Sequence, residues 1–238
     1  MSNPIRPIPA QHAEAASPSQ DDPLDYRHQK EWHLESGESQ SPIEIRGEDV
    51  TLAECTPDEN DAIVMHVTGE GASVVDNGNT VQIVPAKSAA TIRGRHFRLM
   101  QAHFHAPAEH TIDGLRHPLE GHFVFKAQDG RLAVIAVLYR EGAGNEQFAA
   151  LVRAAQRDVR VPLDSFDAAA LVPDCMNCYY HYLGSLTTPP LSENVEWYVL
   201  NEPVSLSGAD IEAFRQHYAF NARDTQPLNG RPLLKYTL

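Results

Sequence analysis

The most informative stretch of this chain is Gln101-Ala-His103-Phe-His105, followed by Glu109-His110-Thr111 and then by His122 in Glu120-Gly-His122-Phe-Val-Phe. Side chains alternate along a strand, so His103 and His105 share one face while Phe104 points the other way, into a core. Two imidazoles on one face of a rigid strand are well placed for a single metal ion. His122 adds a third in a strand-like context. Three neutral imidazoles suit Zn²⁺ and leave its fourth position open for water, which is the arrangement of a catalytic rather than a structural site. Gln101 and Glu120 each lie two residues before a ligand candidate. They share its face and could accept its other ring N–H, fixing the tautomer. Spacing alone does not separate such a site from histidines that merely alternate in a core or on a surface. A second constellation, Tyr180 to Pro190, ends in Thr187-Thr188-Pro189-Pro190. Two Thr before two Pro make a rigid, non-helical stretch with hydroxyls at defined positions. By itself it reads equally well as a loop.

The elements that must position these residues are mostly short strands. Segments 63–67, 81–84, 97–105, 122–126, 132–139 and 195–200 are rich in β-branched and aromatic residues. Asn77-Gly78 suits the positive φ angles of a tight hairpin turn. Two segments predict helices. In 145–157, Phe148, Leu151, Val152 and Ala155 form one apolar stripe. In 207–218, Ser207 and Asp210 make a capping-box-like start, and Ile211, Phe214 and Tyr218 supply the stripe. Strands outnumber helices, which predicts a mainly β fold on a large sheet with peripheral helices rather than a repeating βαβ fold. Residues 1–22 read as a flexible tail or arm, rich in Pro, Ala, Ser and Gln. Residues 23–238 read as one domain with no linker.

Composition excludes several classes. The 238 residues carry a formal charge of −13, which argues against a phosphate-neutralising nucleic-acid surface. The longest fully apolar run, Leu132 to Tyr139, is far too short for a membrane helix. Three cysteines cannot staple a chain this long, so a buried core must hold it. Cys175 and Cys178 have CxxC spacing. Free thiols in a loop are the expectation, with a local disulfide, a bridge to Cys55 or an intermolecular bridge left open. Twelve histidines are the surplus to explain.

Taken together, QAHFHAPAEHT (101–111), PLEGHFVF (118–125), YLGSLTTPPLSENVEWYVL (182–200), QSPIEI (40–45) and NARDTQPLNGR (221–231) resemble the α-class carbonic anhydrases, bacterial members above all. The resemblance runs in order from about Leu24 to the C-terminus. It implies a large, mostly antiparallel twisted sheet with one zinc ion at the base of a conical cleft. It implies reversible hydration of CO₂ to bicarbonate and a proton by attack of zinc-bound hydroxide. By motif position, His103, His105 and His122 are the implied zinc ligands, with Gln101, Glu120 and Asn221 supporting them. Thr187 is implied to orient the hydroxide and donate to Glu109, and Thr188 to help place substrate. Val124, Val134, Leu186, Val195 and Trp197 match an apolar wall that receives CO₂. Sulfonamides and anions are the implied inhibitors, and a homodimer is left open. The alternatives are a carbonic-anhydrase-like binding or structural protein without catalysis, and a zinc hydrolase for a larger ester.

The sequence departs from that pattern in places. Many active relatives carry a proton-shuttle His just after the Asn-Gly pair, where this chain has Asn79, which cannot take up a proton near pH 7. His28 and His33 are candidate substitutes, although surface histidines are the simpler reading. Asp224 stands where a Pro is usual. Leu191 follows Pro190 where secreted bacterial relatives often place a bridging Cys, and no Cys precedes Cys55. With no signal peptide apparent, these features point to the cytoplasm, with a periplasmic or secreted mature form not excluded.

Overall fold

The computed structural model describes residues 24–32, 37–53, 62–67 and 71–237. The tail 1–22, His33 and Cys55 lie outside the described residues. Within them run fifteen strands: β1 (Glu44–Ile45), β2 (Thr51–Leu52), β3 (Ile63–Val67), β4 (Ala72–Asp76), β5 (Val81–Pro85), β6 (Ser88–Ile92), β7 (Arg95–His105), β8 (Thr111–Ile112), β9 (Leu119–Ala127), β10 (Leu132–Glu141), β11 (Val161–Leu163), β12 (Cys178–Ser185), β13 (Glu193–Leu200), β14 (Val204–Leu206) and β15 (Leu234–Thr237). Thirteen form one sheet along the path β11-β4-β5-β7-β9-β10-β13-β12-β15-β2, with β14 beside β10 and β3 beside β6, which joins β7. Its pairs are antiparallel except β10–β13, β10–β14 and β15–β2, so the sheet is mixed but mostly antiparallel, as the strand pattern and the resemblance predict. No helix among the described residues is long and apolar enough to cross a membrane.

The central strands are buried on both faces, which is why 132–139 reads as a continuous apolar run. On β10, Ala133, Ile135, Val137 and Tyr139 enter the larger core, while Val134, Ala136 and Leu138 join a smaller cluster with Trp197 and Tyr182. Two helices cover the larger core. The first, α1 (Glu146–Ala154), starts at Asn145, whose side chain accepts from Phe148 N, and it buries Phe148, Leu151 and Val152. It ends sooner than 157 because Ala155 is extended and the next residues pair with the sheet edge. Asp76 N donates to Gln156 O at 3.1 Å, and Asp158 N to Asp76 O at 2.8 Å. The second helix, α2 (Gly208–His217), begins with a complete Ser207–Asp210 capping box.

Two local features aim the site. The β4–β5 connection at Asn77-Gly78 is a four-residue turn, 77–80, since β4 and β5 last pair at Asp76↔Val81. Only Gly78 takes a positive φ, 93°. The Asn77 side chain closes the turn by accepting from Asn79 N and Thr80 N, each at 3.0 Å. In β7 the register with β9 shifts between Leu99 and Gln101. The extra residue, Met100, resets the alternation. Phe97 and Leu99 face the larger core before it, and Ala102 and Phe104 do so after it. Gln101, His103 and His105 therefore turn to the opposite face.

Candidate metal centre

Strands β7 and β9 place His103 opposite His122 and His105 opposite Glu120. The three imidazole centroids lie 4.9, 5.2 and 4.6 Å apart, and one ligand nitrogen from each ring falls within 4.8 Å of the others. One nitrogen of each ring is already engaged. His103 Nδ1 donates to Gln101 Oε1 at 2.9 Å, His105 Nδ1 to Asn221 O at 2.7 Å, and His122 Nε2 to Glu120 Oε1 at 2.7 Å. The nitrogens left over are Nε2 of His103, Nε2 of His105 and Nδ1 of His122. His105 Nε2 is buried and has no hydrogen-bond partner among the described residues. A buried polar atom left unsatisfied needs an explanation, and a shared metal ion supplies one. Burial pushes all three rings toward the neutral, ligating form. His103 is held well below the ordinary histidine range, with His105 and His122 adding repulsion; His105 is pushed down to about 4; His122 is also lowered. The donor set fits zinc, and Nε2, Nε2 and Nδ1 are the atoms that would hold it.

Burial alone would raise the Glu120 carboxyl, but its partners outweigh that and hold it well below the usual range. It accepts from His122, from His110 Nδ1 at 2.6 Å and from His110 N at 2.7 Å. His110 Nε2 is hydrogen-bonded to the Tyr182 hydroxyl at 2.7 Å, and that hydroxyl to Ser41 Oγ at 2.9 Å. The grouping His110, Glu120 and His122 is thus a hydrogen-bonded chain rather than a second metal site, since both nitrogens of His110 are engaged. Sequence reasoning assigned no role to His110, Tyr182 or Ser41. The one local signal was a His-Thr pair after Glu109.

Glu109 is fully buried beside the centre, with Oε2 3.9 Å from His122 Nδ1. Burial pushes its carboxyl up to about 7, against the opposing pull of His122, the Arg223 backbone N–H and the Thr187 hydroxyl. Arg223 N donates to Glu109 Oε1 at 2.7 Å. Oε2 makes no well-formed hydrogen bond, although the nearby Thr187 hydroxyl favours the charged form. Thr187 is buried and Thr188 half-buried, just beyond the end of β12. The Arg223 side chain, another residue missed in the sequence, ties Gln40 Oε1 (3.0 Å) and Ser41 O (2.6 Å) beneath the site.

All five apolar residues singled out in the sequence meet in one cluster. Val134, Val195 and Trp197 are buried in it, and Val124 and Leu186 pack against it. The pairing explains this: Val134 faces Val124 on one side and Trp197 on the other. The Trp197 ring lies 4.9 Å from that of His122, so the wall abuts the centre. Asn79 is half-buried, and its carbonyl accepts from Asn221 Nδ2 at 3.0 Å. His28 is exposed and bound to Asp25 at 2.7 Å, a contact that raises its affinity for a proton. Cys175 and Cys178 carry free thiols.

The fold and the centre define a sheet-based protein with a three-histidine cluster able to hold a metal ion beside an apolar wall. The family model for eukaryotic-type carbonic anhydrases matches residues 25–237. A carbonic anhydrase of Pectobacterium carotovorum is 41% identical over 210 residues, spanning 84% of this chain and 81% of that protein. Among solved structures, the α-carbonic anhydrase of Thermovibrio ammonificans in complex with sulfanilamide gives a TM-score of 0.77 at 36% identity, covering 84% of this chain and 88% of that one. The α-carbonic anhydrase of Photobacterium profundum gives 0.76 at 36% identity, covering 84% and 90%. The chain belongs to the α-class carbonic anhydrases, lyases that act as carbonate dehydratases and are in general zinc enzymes.

Proposed function

We propose that this chain interconverts CO₂ and water with bicarbonate and a proton at one zinc ion held by His103, His105 and His122. The observation that carries the reading is His105 Nε2, buried and unpartnered where two other free imidazole nitrogens converge. Zinc, when bound, acts as a Lewis acid that makes a strong nucleophile of water near neutral pH, as this family's own chemistry illustrates.

The chain's residues do the rest. Gln101, Asn221 and Glu120 hold the three rings in the tautomers that leave the right nitrogens free. Val124, Val134, Leu186, Val195 and Trp197 offer apolar surface to a substrate with no net dipole and keep bulk water off it. The Thr187 hydroxyl lies near Glu109 and would donate to its carboxylate, which would leave the Thr187 oxygen as an acceptor for the reacting water; Thr188 would help to place substrate. Each hydration leaves one proton to export. Asn79 cannot carry it, so export falls to buffer or to a histidine elsewhere. The sulfanilamide complex of the Thermovibrio relative supports the expectation that sulfonamides bind this chain. Presence of all three ligand histidines together with Glu109 and Thr187 supports catalysis over an inert binding role.

Metal analysis with activity tests this reading. Purified protein should hold one zinc per chain, lose CO₂ hydration on chelation and regain it on zinc addition. Protein that is fully active after complete zinc removal would contradict it.

A further inference from the structure

Strand β5 pairs with β7 only at Gln82↔His103 and Ile83↔Ala102, whereas β9 follows β7 to His105. Phe104, between the two ligand candidates on β7, thus lies past the last β5 pairing. It is fully buried, so its peptide groups need partners. The Thr80 hydroxyl supplies both kinds. It accepts from Phe104 N at 3.1 Å and donates to Phe104 O. Asn221 Nδ2 adds a second donor to Phe104 O at 3.0 Å.

Thr80 is itself buried and held firmly. Its N–H donates to Asn77 Oδ1, and its carbonyl accepts from Asn77 N at 3.1 Å. The turn is anchored in turn by Asp76, whose carboxylate accepts from Gly78 N at 3.1 Å, Arg157 Nη1 at 3.4 Å and the Tyr218 hydroxyl. The relation of His105 to His103 depends on the backbone angles of Phe104 between them. We infer that Thr80 is a positioning residue for the metal centre: its hydroxyl pins the Phe104 peptide groups and so fixes the relative aim of His103 and His105. The inference deepens the zinc reading and rests on it.

The test compares wild type with Thr80→Val, which keeps the shape but loses the hydroxyl, and Thr80→Ser, which keeps the hydroxyl. Three readouts serve: the rate of zinc loss to a chelator, the visible spectrum after Co²⁺ substitution, and amide exchange at Phe104 in the wild type. Thr80→Val should lose zinc about tenfold faster and show an altered cobalt spectrum in its folded fraction. Thr80→Ser should match wild type in both. The Phe104 amide should exchange only with global unfolding. Thr80→Val with a wild-type rate and spectrum overturns the inference. Should that variant fail to fold, a Phe104 amide exchanging as fast as a frayed strand end overturns it instead. Wild-type protein that takes up no zinc sinks the zinc reading as well, so the two failures are told apart.

Discussion

The Oδ1 of Asn79 accepts a hydrogen bond from Leu24 N at 2.7 Å, so the side chain at the position where the resemblance implies a shuttle histidine fastens residue 24 to the turn at the site. Its carbonyl meanwhile holds Asn221, which holds His105. A residue that cannot carry protons thus has a structural task on both sides.

Proton export should therefore limit turnover. CO₂ hydration by stopped flow in dilute buffer should accelerate when imidazole is added. Asn79→His should raise the dilute-buffer rate severalfold while lowering the imidazole dependence, since a ring of pKa about 6.5 titrates in the working range. No response to either change would refute the limitation.

Glu120 accepts three hydrogen bonds in a buried pocket, one of them from His122 of the three-histidine cluster. Glu120→Gln removes the charge and turns one acceptor into a donor facing N–H groups. Zinc affinity, measured by chelator competition, should fall about 10–100-fold. An unchanged affinity would mean that His122 is oriented by packing against Trp197 alone.

Phe104 points away from the centre and packs against Phe148 and Phe214 at 5.2 and 6.2 Å. Phe104→Ala should cost about 3–5 kcal/mol of stability in denaturant unfolding. Loss below about 1 kcal/mol would show that the core collapses around the site without strain.

The Arg95–Glu196 contact gives a pH signature. Burial alone would raise the Glu196 carboxyl, but the Arg95 fork at 2.8 and 2.5 Å and the Tyr198 hydroxyl at 2.6 Å hold it down at about 2. A carboxyl lowered on folding stabilises above its unfolded pKa of about 4.3, and that contribution fades as pH falls toward 2. Arg95 is partly exposed, so screening reduces the effect. Arg95→Gln on metal-free protein should cost about 1–2 kcal/mol at pH 6, with the gap to wild type closing below pH 4. A gap independent of pH would assign the loss to packing.

Much of the site was legible because its chemistry follows the strand period. His103, His105, His122 and their partners two residues away share faces by simple alternation. Less visible was the reset at Met100. The apolar positions Phe97 and Leu99 fall on odd numbers and Phe104 on an even one, a parity change that hinted at the bulge. The supports from Ser41, Tyr182, Asn221 and Arg223 depend on contacts across many tens of residues. Motif position suggested Asn221, while the others have no local periodicity to betray them. The capping box at Ser207 was readable because a cap is a contact between residues three apart. The turn at 77–80 was marked by Asn77-Gly78, but its closure by the Asn77 side chain, with a positive φ at Gly78 alone, was not legible.

The most direct measurement is CO₂ hydration by stopped flow on metal-quantified protein, wild type beside His103→Ala. The zinc reading predicts one zinc per wild-type chain with hydration far above the buffer rate, and loss of both in the variant. Wild-type protein that holds one zinc yet hydrates CO₂ no faster than buffer, or a metal-free variant that keeps full activity, would contradict it.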